Sequence, residues 1–203
     1  MCIAFTRVLA PRSRYDEVVH AVGEVARSFR IGDSFDESTT LGPVVSQRQL
    51  ERINGYIAGA KAQGARLIAG GQRPPHLDRG WFIEPTVFAD VRNSMTLARE
   101  EVFGPVIGII PYDDIDEAIA IANDSPYGLH GGIFTGNEQL ALRVARAIRA
   151  GTFSVNSFVY NVEAPFGGVK CSGIGRDTGR EAIESYYELK TVNVPASMEP
   201  LLL

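Results

Sequence analysis

Residues 106–110 read V-I-G-I-I, a nearly continuous apolar run. Such a run is typical of a strand that is buried on both faces of a parallel sheet. A helix follows it, because Asp114 and Glu117 have the spacing that starts and caps a helix. Another helix precedes it, with Ser46 and Gln49 at the same spacing. A buried strand between helices of this kind predicts an α/β domain.

The same alternation of strand and helix patterns continues in both directions from this strand. It predicts a three-layer α/β/α architecture with a mostly parallel sheet. A further short strand at residues 191–194 needs an edge to pair with, since an unpaired strand leaves its backbone groups free. The expected strands are at 2–9, 66–69, 81–83, 86–91, 128–134 and 152–156, and the expected helices are at 13–32, 46–64, 114–122, 137–147 and 181–187.

A glycine-rich segment spans positions 164–176, A-P-F-G-G-V-K-C-S-G-I-G-R. Glycine loses backbone entropy in a helix or strand and has no side chain to pack, so we expect a tight loop here. Either its backbone passes close to another segment, or several residues need positive φ. Residues 173–179 are not the dinucleotide motif G-x-G-x-x-G, because the last interval is one residue too long and no strand precedes them. Ser172 also lacks the preceding glycine of a nucleophile elbow.

The composition is that of an ordinary globular domain. The 203 residues are 45% hydrophobic and 22% charged, with a net charge of −4. The charges are scattered without a basic run, so we expect no nucleic-acid partner and no membrane surface. The absence of a long apolar run or signal segment predicts a cytoplasmic protein. Two cysteines do not make a disulfide framework, and the three histidines lack metal-ligand spacing, so no metal site is expected.

Three segments resemble motifs of the aldehyde dehydrogenase superfamily. They are M-C-I-A-F-T-R-V-L-A-P at the start, E-E-V-F-G-P at 100–105, and P-F-G-G-V-K-C-S-G-I-G-R-D at 165–177. T-L-G-P-V-V at 40–45 and D-S-P-Y-G-L at 124–129 extend the resemblance over most of the chain, to about residue 194. It implies that residues 1–188 are the catalytic, cysteine-bearing domain and residues 189–203 an oligomerisation strand and tail. The family's N-terminal dinucleotide-binding domain would then be absent from this chain.

The resemblance makes Cys2 the catalytic nucleophile. In the family, the thiolate attacks the aldehyde carbonyl, hydride leaves to a nicotinamide, and the resulting thioester is hydrolysed. From the residues alone, a cysteine followed by Ile3 and Ala4 is more typical of a small buried hydrophobe.

Four residues are implied to meet the cofactor, NAD or NADP. Glu101 would accept hydrogen bonds from ribose hydroxyls, and Phe103 would pack near the nicotinamide. Gln49 and Arg52, one helical turn apart, align with positions that reach the cofactor in some members. From the residues alone, the acids at 100–101 suit a solvated turn, and Gln49 and Arg52 suit an exposed helix face.

Three aromatic residues, Phe166, Phe158 and Tyr160, are implied to line the substrate tunnel. From the residues alone, all three could equally be ordinary core packing. Cys171 lies at a variable position of the motif, so the resemblance assigns it no catalytic role.

The expected function is therefore that of a portion of an NAD(P)-dependent aldehyde dehydrogenase. It would oxidise a small aldehyde to a carboxylic acid through a cysteine thiohemiacetal and thioester, as part of a homo-oligomer, and would be inactive alone. Two alternatives stay open, a non-catalytic stand-alone interaction domain and a thiol-dependent esterase.

Overall fold

A computed structural model describes residues 1–194 of the protein, which form six strands and five α-helices with a few 3₁₀ turns. The strands are β1 (Arg7–Pro11), β2 (Arg66–Ala69), β3 (Thr86–Ala89), β4 (Val106–Tyr112), β5 (His130–Ile133) and β6 (Thr152–Val155). The helices are α1 (Tyr15–Ser28), α2 (Gln47–Ala62), α3 (Thr96–Arg99), α4 (Ile115–Asn123) and α5 (Glu138–Ala147). None of the described helices is long and apolar enough to cross a membrane.

The predicted buried strand, β4, is at the centre of the larger sheet. Four strands are ordered β1-β4-β3-β2, with β4 parallel to both neighbours and β2 antiparallel to β3. β5 and β6 form a separate parallel pair. Three of the four strand pairings are thus parallel, which confirms a mostly parallel α/β fold.

Helices cover both faces of the larger sheet, because successive side chains along a strand point to opposite faces. Ile109 of β4 joins a core cluster with Val19 of α1, and Ile110 joins a second cluster with Ile53 of α2. In the second cluster Phe88 of β3 is fully buried. The layers predicted from the sequence are therefore those of the structure.

Three of the helix starts follow the predicted caps. The side chains of Ser46, Asp114 and Asn137 each accept a hydrogen bond from a backbone N–H three residues on. These bonds satisfy amides that have no partner inside the helix. The sequence-based starts of α2, α4 and α5 are therefore confirmed.

The predicted bounds of α1 are wrong at both ends. A 3₁₀ turn, Arg12–Arg14, leads into the helix, and no side chain caps it. The helix ends at Ser28 rather than near Gly32, because residues beyond it pair with another segment. Gly32 donates to the carbonyl of Leu41, and a parallel bridge joins Ile31 to Leu41.

Other sequence-based elements also differ from the structure. β1 starts only at Arg7, residues 81–83 form no strand, and residues 181–187 are mainly a 3₁₀ helix, Arg180–Tyr186. The short helix α3 was not predicted. Residues 191–194 form no strand within the described chain, so the predicted strand and its partner edge stay predictions. Residues 195–203, predicted as a tail, lie outside the described residues.

Candidate functional site

Cys2 lies in a tight turn at the start of the chain. Ala4 donates its backbone N–H to the carbonyl of Met1 over 3.2 Å. The cysteine is exposed, while the adjacent Ile3 is 7% exposed and packs inward. The interpretation of Cys2 as a small buried hydrophobe is therefore wrong, since Ile3 is the buried side chain of the pair.

Strand register brings the Cys2 turn and residues 100–104 to the same edge of the larger sheet. Arg7 of β1 pairs with Gly108 of β4 in a parallel ladder. Cys2 lies five residues before Arg7, and Phe103 lies five residues before Gly108, by subtraction of their numbers. Because the two strands run in the same direction, both segments enter the sheet from its N-terminal edge.

The segment before β4, residues 100–104, is a loop with a strained backbone. Phe103 has φ +55° and is 53% exposed. A left-handed conformation costs a non-glycine residue roughly 1 kcal/mol, which is about the net contribution of one hydrogen bond. Gln49 of α2 offsets that cost, because its side-chain amide donates to the carbonyls of Val102 and Phe103 over 3.0 and 2.9 Å.

A second set of hydrogen bonds from α2 holds the two acids of this loop. The Nη2 of Arg52 donates to the Glu101 carbonyl over 2.7 Å and to the Tyr56 hydroxyl over 2.9 Å. The Tyr56 hydroxyl in turn donates to the Glu100 carboxylate over 2.7 Å. Burial and this bond to Glu100 raise the pKa of Tyr56. The loop is thus hydrogen-bonded to α2, so the interpretation of the acids at 100–101 as part of a merely solvated turn is incomplete.

A cavity of about 310 Å³ lies between the β5–β6 pair and residues 156–166. It contains two of the three predicted substrate-lining residues, and Ile3 from the Cys2 turn lines it as well. Tyr160 packs edge-on against Phe166, with ring centroids 5.0 Å apart. The lining residues are Ile3, His130, Gly151, Thr152, Phe153, Ser154, Val159, Tyr160, Asn161, Ala164, Pro165 and Phe166.

Phe158, the third predicted residue, is next to this cavity rather than among its lining residues. Its ring meets Phe5 and His130 edge-on, at centroid distances of 5.4 and 5.6 Å. Phe5 stacks on His130 at 5.1 Å. Phe158 is 45% exposed, so simple core packing does not describe it.

His130 was not singled out from the sequence, where the histidines stand alone. The Thr152 hydroxyl donates its hydrogen to the Leu129 carbonyl, so the hydroxyl oxygen accepts a hydrogen bond from His130 Nδ1 over 2.7 Å. Ser154 then donates to Nε2 over 3.3 Å. Burial lowers the pKa of His130 and favours this neutral ring. Only the β5–β6 register, which pairs His130 with Thr152, could have identified the group.

The glycine-rich segment holds Phe166 in place. Phe166 exchanges two backbone hydrogen bonds with Asp177, over 2.7 and 2.6 Å. Gly173 and Gly175 have positive φ, and a side chain on Gly151 would overlap the carbonyl of Gly167. Both reasons expected for the glycine density, close approach and positive φ, are therefore confirmed.

Arg7, four residues after Ile3, was not identified from the sequence either. Its guanidinium donates to Asn93 Oδ1 over 2.7 Å and to the carbonyls of Ile121 and Ala122 over 3.0 and 2.9 Å. Burial, and secondarily the charge of Arg99, lower the pKa of Arg7. These bonds attach β1 to the end of α4 and so fix the base of the Cys2 turn.

No group of three or more metal-ligating side chains lies together in residues 1–194. The features described are the Cys2 turn, the loop at 100–104 with its partners on α2, and the aromatic-walled cavity. The roles of the seven residues predicted to meet the cofactor or the substrate stay predictions. The structure does place Gln49, Arg52, Glu101 and Phe103 in one cluster and Tyr160 and Phe166 in another.

Comparisons with known proteins all match a single family. The profile of the aldehyde dehydrogenase family matches residues 1–192. The crystal structure of Mycobacterium tuberculosis aldehyde dehydrogenase complexed with NAD+ superposes with a TM-score of 0.94 at 48% identity, covering 98% of this chain and 41% of that one. The NAD+ complex of aldehyde dehydrogenase from Bacillus cereus superposes with a TM-score of 0.89 at 42% identity, covering 95% of this chain and 39% of that one.

Curated relatives agree with these structures. Geranial dehydrogenase of Castellaniella defragrans is 46% identical over 94% of this chain, and betaine aldehyde dehydrogenase of Brucella melitensis is 45% identical over 96% of it. The chain spans 40% of the length of each of these two relatives.

Proposed function

The chain belongs to the aldehyde dehydrogenase family, and on that premise we propose that it carries the nucleophile and part of the cofactor site of an NAD(P)-dependent aldehyde dehydrogenase. The observation that carries the proposal is the exposed Cys2 thiol beside Ile3, which lines the cavity with Tyr160 and Phe166. An exposed thiol next to a residue of an aromatic-walled cavity suits covalent capture of a small carbonyl compound.

The residues implied to meet the cofactor fit it chemically. The Glu101 side chain is exposed, and within residues 1–194 its carboxylate has no hydrogen bond or ion pair. A free carboxylate is a suitable acceptor for the two hydroxyls of a ribose. The exposed ring of Phe103 offers a flat apolar wall for a nicotinamide.

In the proposed reaction, the Cys2 thiolate attacks the carbonyl carbon of the aldehyde and forms a thiohemiacetal. When bound, the cofactor supplies a hydride acceptor. Oxidation of the thiohemiacetal leaves a thioester on Cys2, and water cleaves it to release the carboxylic acid. The cavity walls hold the substrate against the thiol during these steps, which lowers the entropic cost of the attack.

The two cysteines allow a matched test in the protein that contains these residues. Cys2→Ser should reduce aldehyde-dependent formation of NADH or NADPH at least about a thousandfold, because the nucleophile is removed. It should also abolish the covalent acyl adduct seen by intact mass after acid quenching. Cys171→Ser, a change at the other exposed cysteine, should retain both activity and adduct.

Retention of aldehyde oxidation in Cys2→Ser would overturn the proposal. Ester hydrolysis that needs Cys2 but no dinucleotide would support the thiol-dependent esterase instead. Absence of turnover and of any adduct in the unmodified protein would support the interaction domain.

The remaining expectations concern the whole protein and stay predictions. Apolar side chains at the end of the described chain are exposed, among them Tyr186, Leu189 and Val192. They support packing of this segment on a second copy, as expected for a homo-oligomer. We also propose a cytoplasmic location, use of NAD or NADP, and inactivity of these 203 residues alone.

A further inference from the structure

The acids Glu100 and Glu101 are neighbours in sequence, but the structure uses them differently. The carboxylate of Glu100 accepts the Tyr56 hydroxyl, whereas Glu101 is held by its backbone carbonyl, which accepts from Arg52. The side chain of Val102, next in the chain, is 4% exposed and packs in the core. Glu101 is therefore fixed on both sides while its own carboxylate stays free.

We propose that Arg52 and Tyr56 of α2 act with Glu100 as a positioning unit that presents the Glu101 carboxylate to the cofactor. The proposal rests on the function proposed above. In it, Glu100 is an anchor and Glu101 is the binding group, so the two adjacent acids have separate roles. Arg52 acts through the loop backbone, and Tyr56 acts through the Glu100 carboxylate and by accepting a hydrogen bond from Arg52.

The geometry supports a rigid unit rather than chance contacts. The guanidinium of Arg52 lies over the Tyr56 ring, 4.9 Å from its centroid, while its Nη2 bonds to the hydroxyl of the same residue. Arg52 and Tyr56 are one turn apart on α2, and Ile53 and Ile57 on the same helix are buried in the core. A helix anchored by its apolar face thus holds both donors in place.

The first test needs no cofactor and measures hydrogen exchange of backbone amides at 100–104. Tyr56→Phe should accelerate exchange there roughly three- to tenfold, because the solvent-exposed bonds of the hydroxyl to Glu100 and from Arg52 are lost. Glu100→Gln replaces the charged acceptor with a neutral one without changing α2, and it should accelerate exchange in the same direction by a smaller factor. Tyr112→Phe, the same change on a half-buried tyrosine at the other end of β4, is the matched control and should leave these amides unchanged.

The second test measures the dissociation constant of NADH by fluorescence titration of the protein that contains these residues. Tyr56→Phe should weaken binding roughly three- to tenfold and Glu100→Gln less, and their combined effect should be smaller than the sum, since both changes act on the bond between Tyr56 and Glu100. Glu101→Gln should weaken binding as well but leave exchange at 100–104 unchanged, because its carboxylate holds no loop contact.

The two tests separate this proposal from the proposed function. Unchanged exchange at 100–104 in both Tyr56→Phe and Glu100→Gln would overturn the positioning unit whether or not NADH binds. Faster exchange with unaltered NADH affinity would also overturn it, because the unit would then be merely structural. Failure of the unmodified protein to bind either NADH or NADPH would overturn the proposed function, and with it the role of Glu101.

Discussion

The two loops beside the site are held by different forces. Residues 100–104 are bonded to Gln49, Arg52 and Tyr56, all polar side chains of one packed helix. Hydrogen bonds of residues 157–161 are local in the described chain, and that segment is positioned by rings, with Phe158 against Phe5 and His130. The loop proposed to meet the cofactor is thus directionally bonded, whereas residues 157–161 of the segment proposed to meet the substrate are positioned by packing.

With the proposed roles, this difference would let the site keep one cofactor geometry while its substrate changes. Hydrogen bonds depend steeply on angle, so a bonded loop has one geometry. Ring contacts are satisfied by several side chains of similar size, so a packed loop tolerates substitution with small cost. We therefore expect changes in the 156–166 loop to leave residues 100–104 undisturbed.

The largest expected effect is at Gly151, beneath the glycine-rich loop. In Gly151→Ala the new methyl group overlaps the Gly167 carbonyl, whose carbon would be 2.6 Å away, so backbone must move. We expect the free energy of unfolding to fall by about 3 kcal/mol or more in urea titrations. Hydrogen exchange should rise around Phe166 but not at 100–104.

Gly55→Ala is the matched control for this prediction. Gly55 is in α2, and a Cβ atom there meets nothing within 4 Å. The free energy of unfolding should rise by about 0.5–1 kcal/mol, because alanine loses less backbone entropy in a helix. Equal effects of the two substitutions would contradict the close approach at Gly151.

A smaller effect is expected from Phe158→Ala, which removes one ring from the Phe5–His130–Phe158 group. The cost should be about 1 kcal/mol, below the usual cost of a core phenylalanine, because the ring is 45% exposed. Exchange should rise at 157–162 only. The control is Phe134→Ala, at a phenylalanine that is 70% exposed, which should change the free energy of unfolding by less than about 0.5 kcal/mol. Faster exchange at 100–104 in Phe158→Ala would contradict the prediction, because it would show that the two loops are coupled.

The smallest expected effect is a pH dependence from His130. Burial lowers its pKa in the folded protein below the ordinary value of 6.5, so the unfolded chain takes up the proton first as the pH falls. The stability contributed by neutral His130 is present above about pH 6.5 and is lost as the pH falls through the lowered folded pKa.

His130→Gln isolates this contribution, because carboxylates titrate in both proteins. Unfolding free energies measured from about pH 7.5 down to 5 should fall less steeply in the variant than in the unmodified protein. Parallel curves would mean that the ring and its bonds to Thr152 and Ser154 contribute no pH-dependent stability.

Much of this protein could be predicted from its sequence because the signals are local. The apolar run at 106–110 predicted a strand buried on both faces, and this strand, β4, lies inside the larger sheet between β1 and β3. The caps at Ser46, Asp114 and Asn137 each depend on a side chain and an amide three residues away. The glycine-rich loop reflects backbone conformation that side chains would prevent.

Tertiary structure decided what local signals do not contain. The end of α1 depends on pairing between Ile31 and Leu41, which no helix pattern encodes. Gln49 and Arg52 were identified as polar residues on a helix, but their partners come from a loop about fifty residues later. His130 became part of the site only when β5 and β6 paired in register. The sequence determined the residue types and most of the helices and strands. The packing of distant segments determined which side chains meet, because hydrogen bonds and ring contacts act over a few ångströms in space, whatever the separation along the chain.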